Sequence, residues 1–424
     1  MKLLQAFKSI LNMTETKKTI SVNISWLLLQ NGVKLVFGLT VSLYLAKYLG
    51  PEDFGVYSYA ISIISVLLLF TNLGIDPILI RELVDNKINK MSLLGSSFSL
   101  KLIGGIIGFI LMGLLGFYYG FNSKKGLIIL IMSPIILFKS LSILDSYFQS
   151  KKENKYPAIA NIISIIIGST IIFLFINLKF QLEYFALIYV FESGVLISAL
   201  LFFYLWKSEL HKWIVSKKIS VNILKESWPL IIAGVAAIIN TRIDQIYIGS
   251  MLSASVLGNY SAAAKVSEFW LVLPTILNIV FYPILINLRS LNYNKYKRFL
   301  GAVIICCFCF GIIFSFMVTH FSENIISLLF GNKYDLAGEY LSLYIWSTLP
   351  YFTLFILSNV IYLENLIRKN LVISFVSILG NLILNYFFIQ FYGAIGAIYA
   401  TLLVGLISYS LIGYYIFNDT KLLK

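Results

Sequence analysis

The chain has 424 residues, 59% of them hydrophobic and only 12% charged. Soluble domains carry about 25% charged residues, so this composition excludes a water-soluble globular protein and defines a membrane protein. A formal net charge of +14 would suit a nucleic-acid partner, but the placement of the cations, given below, assigns most of the excess to membrane topology and argues against nucleic acid.

In chain order, residues 1–20 ("MKLLQAFKSILNMTETKK" and the two that follow) form an amphipathic cytoplasmic segment with Leu3, Phe7, Ile10 and Leu11 against lipid. They lack the apolar core and cleavage site of a signal peptide, so the segment is expected to be retained. About twelve apolar runs long enough to cross the hydrocarbon follow. They are Val22 to Ala46, Val56 to Leu73, Leu102 to Tyr119, Leu127 to Tyr147, Ala158 to Ile176 and Tyr184 to Trp206 in a first half. The second half holds Trp228 to Leu252, Tyr260 to Leu288, Leu300 to Val318, Leu341 to Tyr362, Leu371 to Phe388 and Ile395 to Ile416. Continuous apolar runs, rather than short alternating ones, predict helices and not a β-barrel.

Orientation follows from the lysines and arginines. With the N-terminus inside, 24 of the 33 fall in cytoplasmic segments, five (Lys47, Lys124, Lys125, Lys179, Lys333) lie outside, and four stay within spans. Both termini are thus expected to be cytoplasmic.

The halves are related. "SWLLLQNGV" from Ser25 matches "SWPLIIAGV" from Ser227, and Gly55-Tyr57-Ser58-Ala60 matches Gly258-Tyr260-Ser261-Ala263 with the offset one residue larger. Two matched blocks in the same order, each at the same place relative to a span, indicate a duplication. Six helices separate the copies, so the repeat is parallel: an N-terminal lobe over 21–206, a basic cytoplasmic linker over 207–226, a C-terminal lobe over 227–417 and a tail over 418–424, with a central cleft expected between the lobes. The matched glycines suit close helix approach and a tight outside turn.

Ionisable residues within spans cost roughly 2.5 to 3.5 kcal/mol each unless they meet water or a partner, which makes them the functional candidates. The cations are Lys34 in the first span, Lys139 in the fourth, Arg242 in the seventh and Lys265 in the eighth. The anions are Asp76 and Glu192 in the first half, and Asp244 and Glu268 in the second. Arg242 and Asp244 are two apart and do not share a helix face, so they are not expected to pair with each other. Arg81 and Lys101 lie near the cytoplasmic boundary, where long side chains snorkel to headgroups. No Gly-Lys dipeptide occurs, His211 and His320 fall on opposite sides of the membrane, and Cys306, Cys307 and Cys309 have no polar company. Nucleotide, metal and redox cofactors therefore find no pattern here.

The segments "YLGPEDFGVYSYA", "TRIDQIYIGSMLSASVLGNYSAAAKV", "LLFGNKYDLAGEYLSL" and "NLILNYFFIQFYGAIGAIYAT" resemble polysaccharide-biosynthesis membrane proteins of the Wzx type, within the superfamily that includes the multidrug and toxin extruders. The resemblance covers essentially the whole chain, and the span count sets it apart from the longer peptidoglycan-precursor flippases. It implies a flippase for polyprenyl diphosphate-linked oligosaccharides in a bacterial inner membrane, serving O-antigen, capsule or exopolysaccharide synthesis. A polysaccharide polymerase and export proteins would be its partners, membrane lipids its surroundings, and a Na+ or H+ gradient a source of coupling.

Moving a diphosphate across hydrocarbon calls for fixed cations that offset its lost hydration. That assigns Arg242, Lys34, Lys139, Lys265 and Arg81 to the substrate, and Asp244, Asp76, Glu192 and Glu268 to a coupling ion or a gate. The alternative on the same fold is a cation-coupled multidrug antiporter, which needs an acidic cleft. A membrane-embedded polymerase or ligase would need a long outside loop, and the longest here, Thr319 to Tyr340, is short and partly apolar.

Overall fold

A computed structural model describes residues 15–207, 212–364 and 366–419. The expected lipid-facing residues Leu3 to Leu11, His211 and the end of the tail lie outside the described residues.

All regular structure among the described residues is helical, the form in which a chain in lipid satisfies its own backbone. The helices are α1 Glu15–Asn72, α2 Ile75–Asp85, α3 Lys90–Tyr119, α4 Lys124–Met132, α5 Pro134–Phe138, α6 Ile143–Ser150, α7 Lys155–Asn177, α8 Leu182–Lys207, α9 Lys217–Met251, α10 Ala254–Trp270, α11 Val272–Leu291, α12 Tyr293–Phe330, α13 Ala337–Leu363 and α14 Ile367–Asp419. Among the described residues eight segments are long and apolar enough to cross a membrane, set against the roughly twelve apolar runs of the sequence. Part of the difference is local: α1 and α14 each run through a sharp bend, at Gly50 (φ 74°, ψ 174°) and Gly393 (φ 60°, ψ −144°), that joins two apolar runs into one helix. Gly50 takes a backbone conformation that a side chain would strain, and Pro51 then restarts the helix.

Polar residues start the helices where their first amides need partners. Asn89 accepts from Met91 and Ser92, Ser123 from Gly126, Ser253 from Val256 and Asn292 from Lys295. The expected fourth span falls within one apolar stretch, Lys124–Ser150, in which α4, α5, a 3-10 turn at Lys139–Ser142 and α6 succeed one another. Pro134 sits at the first position of α5, where its missing amide costs least.

The chain divides into two compact units. The first takes in the chain up to Leu45 and Leu67–Ile231; the second takes in Ala46–Val66 and everything from Ile232. This division departs from the lobes of the sequence repeat at residues 46–66. The first unit buries Leu79, Leu94, Ile143, Phe148 and Leu200 in one core. The second buries Leu285, Tyr296, Ile356, Val360 and Ile412 in another.

Within the expected linker, residues 213–216 are bonded to helices of the first unit. The Ile214 amide donates to the Met91 carbonyl, the Ser216 amide donates to Ser96 Oγ at 2.9 Å, and Trp213 Nε1 donates to the Tyr204 hydroxyl at 2.8 Å. A Cβ on Gly95 would lie 2.4 Å from the Ile214 carbonyl oxygen, so the strap rests directly on the α3 backbone.

Candidate functional site

The predicted ionisable residues gather in three places. The first surrounds Lys34 in the first unit. Lys34 is exposed on α1 and, among the described residues, makes no hydrogen bond or ion pair. Gly32 and Gly38 beside it have nothing within 4 Å of where a Cβ would stand, so the helix surface around the ammonium is bare. Lys139, half-buried at the start of the 3-10 turn, likewise makes no direct pair among the described residues. Its electrostatic neighbours are Asp145, Lys34, Glu192 and Lys101. Glu192 on α8 lies over Gly168 of α7, whose missing side chain leaves it room: a Cβ there would stand 2.8 Å from Glu192 Oε2.

The second cluster is interior. Lys101 is completely buried; its Nζ donates to Asp76 Oδ1 at 2.6 Å and to Ser142 Oγ at 3.0 Å, while Ser146 donates to the same Asp76 oxygen at 2.8 Å. Asp145 Oδ1 is buried with no hydrogen-bond partner among the described residues. The expectation that Lys101 snorkels to headgroups is thereby corrected. The Asp76 carboxylate and the Ser142 hydroxyl meet the ammonium, Ser146 in turn donates to that carboxylate, and this pairing removes the need to reach water. Arg81 sits apart in the second half of α2, bonded to Glu82 at 2.8 Å and to Glu226. It is exposed, so these pairs contribute little to stability.

The third cluster belongs to the second unit and is mostly neutralised. Arg242 Nη1 lies 3.6 Å from Glu268 Oε1, each side chain about a third exposed. Asp244 is buried, accepts from the Tyr260 hydroxyl, and accepts from the Gln245 amide at 2.7 Å. Arg242 and Asp244 thus point to different partners, as their spacing predicts. Lys265 places its Nζ 5.2 Å from the centre of the Phe54 ring. Ser62 Oγ donates to Gln245 Oε1 at 2.7 Å, which ties residues 46–66 to α9.

The repeated motif explains why 46–66 belongs with this unit. A Cβ on Gly55 would stand 1.8 Å from the Ala254 carbonyl oxygen, and one on Gly258 would stand 1.8 Å from the Pro51 carbonyl oxygen. The two copies of the glycine motif pack on one another reciprocally, each without a side chain where the other's backbone passes. The Tyr334 hydroxyl closes the same region by donating to the Ala46 carbonyl at 2.7 Å.

Sequence reading missed several polar groups. Asn240, Ser377 and Asn381 form a ladder in the second unit, with the Ser377 hydroxyl and the Asn381 amide both donating to Asn240 Oδ1, at 2.9 and 2.7 Å. Asn385 continues it by donating to the Asn381 carbonyl at 2.9 Å. The signal was present as Asn381 and Asn385 four residues apart within an apolar run, but attention to formal charge passes over amides. The pairing of Asp76 with Lys101 was also signalled, by opposite charges at the same end of consecutive spans.

What these clusters can do is electrostatic. Bare ammonium groups in a span offset the lost hydration of an anion, whereas paired ones hold helices together. Among the described residues no three metal-ligating side chains converge.

Solved structures share this fold. The chain matches the "inward closed conformation" of the lipid II flippase MurJ with a TM-score of 0.72 at 19% identity, covering 93% of this chain and 88% of that one. It matches an inward-facing multidrug resistance MATE family transporter with a TM-score of 0.69 at 12% identity, covering 92% and 96%. The chain thus shares the fold of these two solved structures. Residues 20–289 match the polysaccharide biosynthesis protein family, and the chain belongs to it; residues 229–387 also match the MatE family. Two relatives sharpen the comparison. A Staphylococcus aureus capsular polysaccharide biosynthesis protein, CapF, is 25% identical over 419 residues, covering 91% of this chain and 97% of that protein. A Shigella dysenteriae protein named for O-antigen transport is 24% identical over 330 residues, covering 75% and 80%.

Proposed function

We propose that the protein is a flippase that carries polyprenyl diphosphate-linked oligosaccharide repeat units from the cytoplasmic to the outer face of a bacterial inner membrane by alternating access. Both termini would be cytoplasmic, and the product would pass to a polysaccharide polymerase and export proteins. The relatives named for capsule synthesis and O-antigen transport support the substrate class. The observation that carries the reading within this chain is Lys34: an exposed, unpartnered ammonium in the middle of an apolar helix, flanked by glycines with open space around them. A cation left bare at that depth costs the fold energy, and an anionic headgroup is the ligand that returns it. Lys139 adds a second positive group, and Glu192 beside both suits a gate or a coupling ion.

The test uses proteoliposomes with purified protein and a fluorescent undecaprenyl-diphosphate oligosaccharide, comparing wild type with Lys34→Ala and Arg242→Ala at equal reconstitution. Outward exposure faster than in protein-free vesicles, and slower in Lys34→Ala, supports the proposal. A wild type inert toward that lipid but able to move a cationic dye along an imposed ion gradient overturns it in favour of an antiporter.

A further inference from the structure

The second unit carries an apolar groove of about 580 Å³ that none of the ionisable clusters touches. One wall is the α11 stripe Leu273, Leu277 and Phe281, spaced four apart; the other is the α12 face that includes Phe299, Cys306 and Phe310. Phe299 to Phe310 spans about 16 Å of helix rise, roughly half the thickness of a bilayer core. The groove therefore has the length of a single leaflet.

At its end, α11 and α12 are joined by a hairpin at Asn292 that carries Arg289, Lys295, Lys297 and Arg298, and no acidic residue occurs between Glu268 and Glu323. Arg289 is held by Glu364 at 2.9 Å. Lys295 and Arg298 are exposed and Lys297 partly so, and none of the three has an ion pair among the described residues. An apolar trough one leaflet deep, ending at three unengaged cations, has the layout of an anionic lipid.

We propose that this groove is a docking site for the prenyl tail of a polyprenyl diphosphate lipid, whose diphosphate rests on Lys295, Lys297 and Arg298. Two features select that lipid over a phospholipid. The groove is a single trough and takes one chain, whereas a phospholipid brings two. Three cations match the charge of a diphosphate better than that of a single phosphodiester. Arg242 does not line the groove, so the site serves to load substrate from the membrane before the headgroup enters the transport path. This step rests on the flippase reading; the tail site itself does not.

The groove contains its own reporter. Cys306 lines it, and Cys309, three residues on, is also exposed but does not. Wild-type protein in mixed micelles is treated with N-ethylmaleimide, and modification of each cysteine is followed by peptide mass spectrometry with and without undecaprenyl diphosphate. The expected result is that the lipid slows modification of Cys306 at least about fivefold relative to Cys309, equivalent to roughly 1 kcal/mol of occupancy. Lys295→Gln with Arg298→Gln should weaken that protection, and equimolar phosphatidylglycerol should not reproduce it. Equal protection by phosphatidylglycerol, or none by undecaprenyl diphosphate, overturns the proposal. The translocation assay run in parallel separates the two readings. Protection of Cys306 without translocation leaves the tail site standing and removes the flippase, and translocation without protection does the reverse.

Discussion

The two copies of the repeat place their charges differently on the same helix. In the first copy the cation is Lys34, bare and exposed; by the repeat offset the matching position in the second copy is Ala236, which is buried. In the second copy the cation is Arg242, facing Glu268; its match in the first is Thr40, whose hydroxyl donates to its own helix at the Val36 carbonyl, 2.8 Å away. Six residues separate the two positions along the helix, about 9 Å. The duplication thus preserved backbone and packing while charge was redistributed to different depths. In one copy the cation makes no pair among the described residues, and in the other it faces Glu268.

The largest expected effect tests the paired side of that contrast. Asp76→Asn leaves the fully buried Lys101 without its counter-charge; because the Asp76 side chain is 40% exposed, the cost should be about 3 kcal/mol, the low end for a buried pair, read as a fall in Tm in detergent. Replacing both residues with Leu and Met should recover most of the loss, because the expense lies in the orphaned charge and not in the missing bond. Next comes the reciprocal glycine contact. Gly55→Leu and Gly258→Leu each drive a side chain into backbone and should each cost about 3 kcal/mol. A marked inequality between them would show that the contact is not the two-way arrangement described. Smaller and functional, Lys34→Ala should slow translocation about tenfold, close to 1.4 kcal/mol, while Tm holds or rises because a costly bare cation is removed. Arg242→Ala should slow it by about threefold or less, since a partly exposed pair contributes less than about 1 kcal/mol. If Arg242→Ala proved the more damaging of the two for translocation, the assignment of roles to the copies would be reversed.

The sequence carried the class of the molecule and much of its plan. Apolar run length predicted helices because lipid leaves the backbone no other solution, and the duplication was visible because Ser25-Trp26 and Ser227-Trp228 stand at matching places. What stayed hidden was pairing. That Lys101 is buried while Arg81 is exposed depends on which helices bring Ser142, Ser146 and Glu226 near, and no periodicity records that. Lys34 was legible as a mid-span cation but not as a bare one, because both faces of its helix are apolar. The joining of 46–66 to the later part of the chain was encoded by Gly55 and Gly258, yet the sequence could not say that each glycine exists for the other.

The mutual glycine contact also bears on how such a chain can diverge after duplication. When a side chain meets a side chain, a change on one surface can be absorbed by a change on the other. Here each glycine faces a carbonyl, of Ala254 in one case and Pro51 in the other, and a carbonyl has no smaller version to mutate into. Every first substitution is therefore uphill, and neither copy offers a second that rescues it. Substitution is thus opposed at these two sites, whereas the two copies differ at the Lys34 and Arg242 positions, where Ala236 and Thr40 are the matches.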